Sequence, residues 1–390
     1  MSADCDVLVM GGGLTGLITA KEVAKRGFKV KVLEEDVEIG RPEKCAGLVS
    51  MKALSQLGIL PKARIVQNRI ERAILHAPSG LSLEIDARKQ RIVVLDRSEL
   101  DKELAYRAVS FGAEILLKTR VSHFNELENL IQVKANGENY TGRLLVDARG
   151  HPPNPKDKGL LNAARFEVYS RSFQRDTVEI FFDQRLSPGF FTWIVPYDDH
   201  LAKVGTAGIG IDPFKSIESF LKNRKCAILG KVGSTLIVSG PSNHFVFNRV
   251  VRVGDAAGQT KPTTAGGIYT GGMGGILAGR ALIEALDKDD TTRLKMYEQE
   301  WFKMFGREFK VMLLMRRIFE SLSNDQIDQI FKILDQSIIN EIVLKSEFDY
   351  HSSTLVRALG MERVLKILST ISMRRLKDMI SLLKSCIGEA

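Results

Sequence analysis

The 390-residue chain has only four cysteines, Cys5, Cys45, Cys226 and Cys386, and no two form a CxxC pair. That spacing rules out a zinc-knuckle motif and supplies no disulfide framework. Six scattered histidines give no metal-ligand pattern, so the chain reads as metal-free. Long apolar runs are lacking too. The uncharged stretch 262–279 is dominated by glycine and is too weakly apolar to span a bilayer. No hydrophobic leader precedes the first strand, so the expectation is a cytoplasmic protein, with peripheral contact to the inner face of the cell membrane left open. Basic and aromatic residues do not interleave, which argues against nucleic acid as a partner. Internal repeats and low-complexity tracts are absent. With 44% hydrophobic and 26% charged residues the composition is globular, and the formal charge of +9 favours anionic ligands or anionic lipid surfaces.

What the chain does have is glycine, in two segments far apart. The first is Gly11-Gly12-Gly13-Leu14-Thr15-Gly16, after an apolar strand over Cys5–Met10. Gly11 allows a tight turn, Gly13 lets a pyrophosphate approach the backbone, and Gly16 lets the following helix pack close to the strand. That helix, Leu14–Arg26, turns its amides and dipole toward the phosphates. A second strand, Lys29–Leu33, ends at Glu34, whose carboxylate suits ribose hydroxyls. The second segment, Val253-Gly254-Asp255-Ala256-Ala257-Gly258, runs on to Pro262, Gly266, Gly267 and Ile268. Asp255 can bond a ribityl or ribose hydroxyl, and residues 262–268 can bring amides to a flavin at a helix start. A simple NAD fold needs only the first segment, so the pair indicates FAD. Gly267, Gly271, Gly275 and Gly279 recur every four residues on one helix face, to meet another helix, the cofactor or both.

The fold class expected is α/β. A Rossmann-like FAD-binding domain occupies 1–160, with a strand insertion near 62–95, and returns at 246–290. An antiparallel β-sheet substrate domain covers 161–245, and 291–390 is helical. Within the first part Leu100–Phe111 reads as a helix with Leu100, Leu104, Ala108 and Phe111 on its core face. Residues 151–155 read as a proline-rich crossing. The segment 361–383 reads as a basic amphipathic helix, either a solvated domain helix or a membrane-facing one.

The order of the motifs carries a resemblance. Gly40-Arg41-Pro42-Glu43-Lys44-Cys45-Ala46-Gly47, Gly189-Phe190-Phe191-Thr192-Trp193-Ile194-Val195-Pro196 and Gly254–Ile268 follow the first glycine loop in turn. The chain resembles the geranylgeranyl reductases, flavoproteins of the para-hydroxybenzoate hydroxylase type. In the substrate motif, Phe191 replaces a tyrosine and Val195 a phenylalanine. Ala207 and Ala265 each replace a glycine, and Arg149 stands where related hydroxylases carry an aspartate.

The resemblance implies an FAD-dependent reductase of prenyl chains, fed by NAD(P)H, ferredoxin or another reductant. It implies further cofactor contacts at Leu14, Thr15, Glu35, Arg41, Cys45, Ala46, Gly47, Arg97, Val121 and Ala265. Phe190, Phe191, Trp193 and Pro196 become candidates for the substrate wall, where they would otherwise read as sheet core. Cys45 becomes the candidate proton donor, with Arg41 and Lys44 near it in sequence to favour its thiolate; a small buried hydrophobe is the alternative. Lys261 reads as a surface or phosphate-contacting lysine. A prenyl-quinone reductase, a flavin monooxygenase of the same superfamily and a non-enzymatic flavoprotein remain rival readings.

Overall fold

The computed structural model describes residues 3–150, 159–334, 336–345 and 347–349. The proline-rich stretch 151–155, the segment 361–383 and Cys386 lie outside them. The chain forms two compact units, the first from the described parts of Met1–Glu43, Arg97–Lys158 and Ile237–Gly306. The second gathers the described parts of Lys44–Asp96, Gly159–Leu236 and Arg307–Ala390.

The first unit is built on an eight-stranded sheet. Its path runs Val246–Phe247, Val250–Arg252, Glu138–Asp147, Cys5–Met10, Val30–Leu33, Glu114–Leu116. Val9 pairs in parallel with Val146 on one side and Val32 on the other. Val7, Leu8, Val9 and Met10 are fully buried, which is why this strand reads as an unbroken apolar run. Val121–Glu126 and Ile131–Ala135 extend Glu138–Asp147 as antiparallel strands. The helix Leu14–Ala24 lies against the helix Ile268–Lys288 along the glycine stripe. A Cβ on Gly275 would stand 2.8 Å from the Thr15 carbonyl oxygen, and one on Gly279 2.6 Å from Glu22 Cβ. Gly271, Gly275 and Gly279 are thus packed on Leu14–Ala24, while Gly267 meets Thr260. The helix expected over Leu100–Phe111 runs from Arg97 to Ser110. Phe111 follows its end and is exposed, under the Lys25 ammonium rather than in the core. The chain has already turned there toward Gly112, which carries a positive φ.

The second unit has a seven-stranded sheet in the order Ala227–Ile237, Leu160–Tyr169, Leu201–Gly208, Thr192–Pro196, Thr177–Phe181, Arg72–His76, Ser82–Asp86. The strands at 72–86, expected as an insertion in the nucleotide domain, thus complete this sheet. Thr177–Phe181 and Arg72–His76 pair in parallel, the departure from an otherwise antiparallel pattern among the pairs with a stated register. A second small sheet joins Leu48–Ser50, Ile92–Leu95 and Val66–Ile70. A helix not read from sequence, Pro213–Leu221, starts at the Asp212 side-chain cap with Pro213 in its first turn. Its Ile217 and Leu221 bury against Phe166, Val168 and Val204. The helices Asn324–Ile333 and Gln336–Lys345 cover the 72–86 hairpin, burying Ile327, Phe331, Ile338 and Ile339 with Ala77 and Leu83.

Candidate FAD-binding and substrate sites

The three glycines of the first loop do different work. Gly11 has φ +105°, and a Cβ there would approach the Ala148 carbonyl oxygen to 2.5 Å. A Cβ on Gly16 would collide with the Gly11 carbonyl. Gly13 meets nothing within 4 Å, and as the N-cap of Leu14–Ala24 it makes no side-chain cap. The space at Gly13 thus leaves room for a ligand beside an uncapped helix start, where amides and dipole favour an anion. Leu14 is buried, and the Thr15 hydroxyl would lie 2.9 Å from a Cβ on Gly254, so the two glycine motifs touch.

Glu34 accepts the Gly12 amide with one oxygen and the Asp36 amide with the other at 2.8 Å. The expected ribose carboxylate therefore also holds the glycine loop. Glu35 is exposed and pairs with Arg120 at 3.3 Å. Val121 packs beside Leu8, Met10 and Leu33. At the carboxyl end of the central strands Arg149 forks onto Asp147, both contacts 2.9 Å. This hydrogen bonding raises the Arg149 pKa above its ordinary value. The arginine that replaces the hydroxylase aspartate is thus neutralised locally.

In the second motif Asp255 is exposed, while Pro262 and Ile268 are buried. Lys261 and Gly266 close a tight loop, the Lys261 amide donating to the Gly266 carbonyl at 3.0 Å. Lys261 is buried, which removes the surface alternative of its reading and leaves the phosphate-contacting one untouched. Its stem folds over Gly266, where a Cβ would stand 2.9 Å from Lys261 Cε. Ala265, in place of glycine, holds φ +53°. Gly267 begins Ile268–Lys288 with no side-chain cap, so a second helix start lies in this motif.

Of the loop at 40–47, Gly40 packs on Ser98, and Glu43 accepts the Arg97 amide at 3.0 Å. That carboxylate caps the helix Arg97–Ser110. The Arg97 side chain pairs with buried Asp101 at 3.1 Å. Burial drives the Asp101 pKa up, against the pull of Arg97. Arg41 is exposed and follows Gly40 into a cis Arg41–Pro42 bond.

In the second unit Cys45 is half-buried, and its Sγ accepts the Gly47 amide at 3.3 Å. Gly47, at φ +86°, lies directly on the Leu95 carbonyl, where no side chain fits. Ala46 and Trp193 pack against one apolar cluster of Ile70, Val94, Val178 and Val195, so the cysteine loop and the tryptophan motif meet there. Phe190 and Phe191 stack at 4.1 Å, and Trp193 meets Phe191 edge-on at 6.0 Å. The indole lies flat over Gly205. Pro196 is buried, its carbonyl accepting Asn68 Nδ2 at 2.9 Å.

Sequence reasoning missed two buried cations in this unit. Lys203 donates from Nζ to the Leu95 carbonyl at 3.0 Å, beneath the Gly47 contact. Arg316 stands over the Phe190 ring. Both lie in segments whose pattern is otherwise ordinary strand or helix, so only an alignment in space reveals them. Among the described residues no group of His, Cys, Asp or Glu is placed to hold a metal, and no helix is long and apolar enough to cross a membrane.

Residues 4–149 match a family model described as an FAD binding domain. An uncharacterised protein of Methanocaldococcus jannaschii is 31% identical over 383 residues, covering 91% of this chain and 95% of the relative. A digeranylgeranylglycerophospholipid reductase 2 of Methanopyrus kandleri is 30% identical over 373 residues, covering 88% and 93%. A geranylgeranyl bacteriochlorophyll reductase-like protein of Thermoplasma acidophilum shares the fold, with a TM-score of 0.82 at 22% identity over 96% of this chain and 99% of that one. Similarity reaching across nearly the whole chain, on a nucleotide fold whose bare loop and two uncapped helices suit a pyrophosphate and a flavin, makes this protein a member of the geranylgeranyl reductase family of FAD-binding flavoproteins.

Proposed function

We propose that this protein is an FAD-dependent reductase that saturates carbon–carbon double bonds of geranylgeranyl chains in membrane lipids or their precursors. The observation that carries the reading is that both glycine motifs, the cysteine loop and the tryptophan motif occur in one chain alongside full-length similarity to a digeranylgeranylglycerophospholipid reductase. FAD, once reduced by a donor such as NAD(P)H or ferredoxin, supplies the hydride. The chain's own residues do the rest. The amides at Gly13–Thr15 and at Gly267–Ile268 hold the cofactor's anionic groups, and Asp255 takes a hydroxyl. Phe190, Phe191 and Trp193 line the path of the prenyl chain and keep water from it. Cys45 holds the proton at Sγ that the alkene needs beside the hydride, and regains it from solvent. The charge of +9 suits an anionic membrane surface as the place where substrate is met.

The test is anaerobic. The yellow protein is reduced chemically, mixed with a geranylgeranylated archaeal-type phospholipid, and followed by flavin reoxidation and product mass. Reoxidation with hydrogen pairs added to the chains is the expected result. Cys45→Ser should then slow turnover by roughly 10²-fold, the usual scale for losing a positioned acid. Trp193→Ala should act mainly on KM. Reoxidation by a prenylated quinone but not by the lipid would transfer the substrate to the quinone class. Inertness toward both would refute the reductase reading.

A further inference from the structure

Among the buried nitrogen donors of the second unit that find no hydrogen-bond partner among the described residues, three stand together: Arg316 Nη2, Gln184 Nε2 and Trp193 Nε1. Their side chains surround one short stretch, Gly189–Phe190. Gln184 Oε1 accepts the Gly189 amide at 2.7 Å, which leaves the side-chain nitrogen unused. Arg316 commits Nε to Glu320 at 2.7 Å and lies with its guanidinium 5.3 Å from the Phe190 ring. Glu320 stands beside Gly189, whose Cβ would meet Glu320 Cγ at 3.3 Å. Trp193 closes the other edge of Phe190, ring centroids 6.4 Å apart.

Leaving a buried donor unpaired is costly, and more so when it is charged. At this place the orphans are donors only, so the missing partner is an acceptor. Arg316 is 4% exposed, and burial lowers its pKa against the pull of Glu320. The Glu320 carboxylate takes Nε alone, and Nη2 of the planar fork is left over. The remaining edge matches an oxyanion, and a guanidinium with a neighbouring amide is the donor set that phosphate oxygens fit best. The aromatic face next to it is apolar. A ligand with an anionic head and a hydrocarbon tail uses both.

We propose that Arg316, assisted by Gln184, binds the phosphate of an amphiphilic prenyl substrate, and that Phe190 and Trp193 receive the first carbons of its chain. The tail half of this statement rests on the reductase reading above; the phosphate half does not.

The test uses the full-length, FAD-loaded protein and three probes: geranylgeranyl monophosphate, geranylgeraniol and inorganic phosphate, each titrated calorimetrically. Wild type should bind the phosphate ester about 10- to 100-fold more tightly than the alcohol, the range for one or two charge-assisted hydrogen bonds. Arg316→Lys keeps a cation for Glu320 but removes the second edge of the fork, and should cut that ratio about tenfold while leaving the alcohol's affinity unchanged. Gln184→Leu should cut it less, and serves if the arginine variant does not fold. An unchanged ratio in both variants would overturn the proposal. So would equal affinity of wild type for ester and alcohol, and with turnover intact that result would spare the reductase reading. If neither prenyl probe binds, the reductase reading falls. The anion site then stands only if wild type binds inorganic phosphate and Arg316→Lys weakens it, and it falls as well if phosphate does not bind.

Discussion

At the scale of single residues, two positions next to the candidate sites carry opposite demands on a methyl group. Gly205 underlies the Trp193 indole so closely that a Cβ would collide with Trp193 Cζ2. Gly205→Ala should therefore displace the tryptophan, lower stability by about 1–3 kcal/mol and shift Trp193 fluorescence. Thermal unfolding and emission spectra check both, and an unchanged spectrum would mean that the ring is not seated on this glycine. Ala265 is the reverse case. Its φ of +53° lies in the left-handed region, which costs an L-residue roughly 1–2 kcal/mol. Ala265→Gly relieves that strain, offset by about 0.4–1 kcal/mol of extra unfolded-state entropy. The variant should be as stable as the parent or slightly more so. The sequence showed Ala265 as a departure from a glycine pattern, and Ala207, two residues after Gly205, as another. It could not show which glycine was indispensable: Ala207 is accepted fully buried, because the space that must stay empty is under the indole at residue 205. Arg316 and Gln184 were illegible for a different reason. An unpaired buried donor is a property of surroundings drawn from distant segments, and no spacing rule encodes it.

Among elements, the helix Ile268–Lys288 depends on its glycine face. Gly275 approaches the backbone of Leu14–Ala24, with a Cβ position 2.8 Å from the Thr15 oxygen. Backbone cannot swing aside as a flexible side chain can. Gly275→Ala should push the two helices apart, cost about 1–3 kcal/mol and, because Thr15 lies in the first turn after Gly13, the proposed phosphate contact, weaken FAD retention on gel filtration. Gly306, inside the helix Lys295–Glu320, is the control. A Cβ there would meet Phe302 at an ordinary 3.5 Å, so Gly306→Ala should gain up to about 1 kcal/mol from helix propensity. Equal effects of the two substitutions would dismiss the packing argument. The period of four was legible in the sequence and so was the helix. What it faced was not, since the same stripe serves a cofactor or a neighbour equally well. The helix Pro213–Leu221 had a readable start in Asp212-Pro213, but it sits in a stretch whose alternation reads as strand.

Across the whole molecule, the division of labour follows chain order less than the motifs suggest. The nucleotide unit is assembled from three separated stretches, and so is the sheet unit, which borrows the 72–86 hairpin from between the first two nucleotide segments. The pairing of Thr177–Phe181 with Arg72–His76 closes a loop of about a hundred residues, a long-range contact that local pattern cannot announce. Integrity of the nucleotide sheet has its own reporter in Cys5. Its thiol is buried at the start of the central strand and points at the Val7 and Thr141 carbonyls, 3.4 and 3.6 Å away. Burial pushes its pKa up to about 12, with Lys31 opposing and Asp4 and Asp6 adding slightly. An unfolded cysteine ionises at about 8.5–9. The folded state thus holds the proton more tightly, and the resulting stability is complete below that value and drains away as pH rises toward 12. Unfolding in urea at stepped alkaline pH should show a steeper loss for wild type than for Cys5→Ala, although the variant starts less stable from its lost packing. Parallel slopes would show that ionisation of this buried thiol is not what limits the fold in alkali. In the folded protein near pH 8, alkylation with mass mapping should mark half-buried Cys45 well before Cys5.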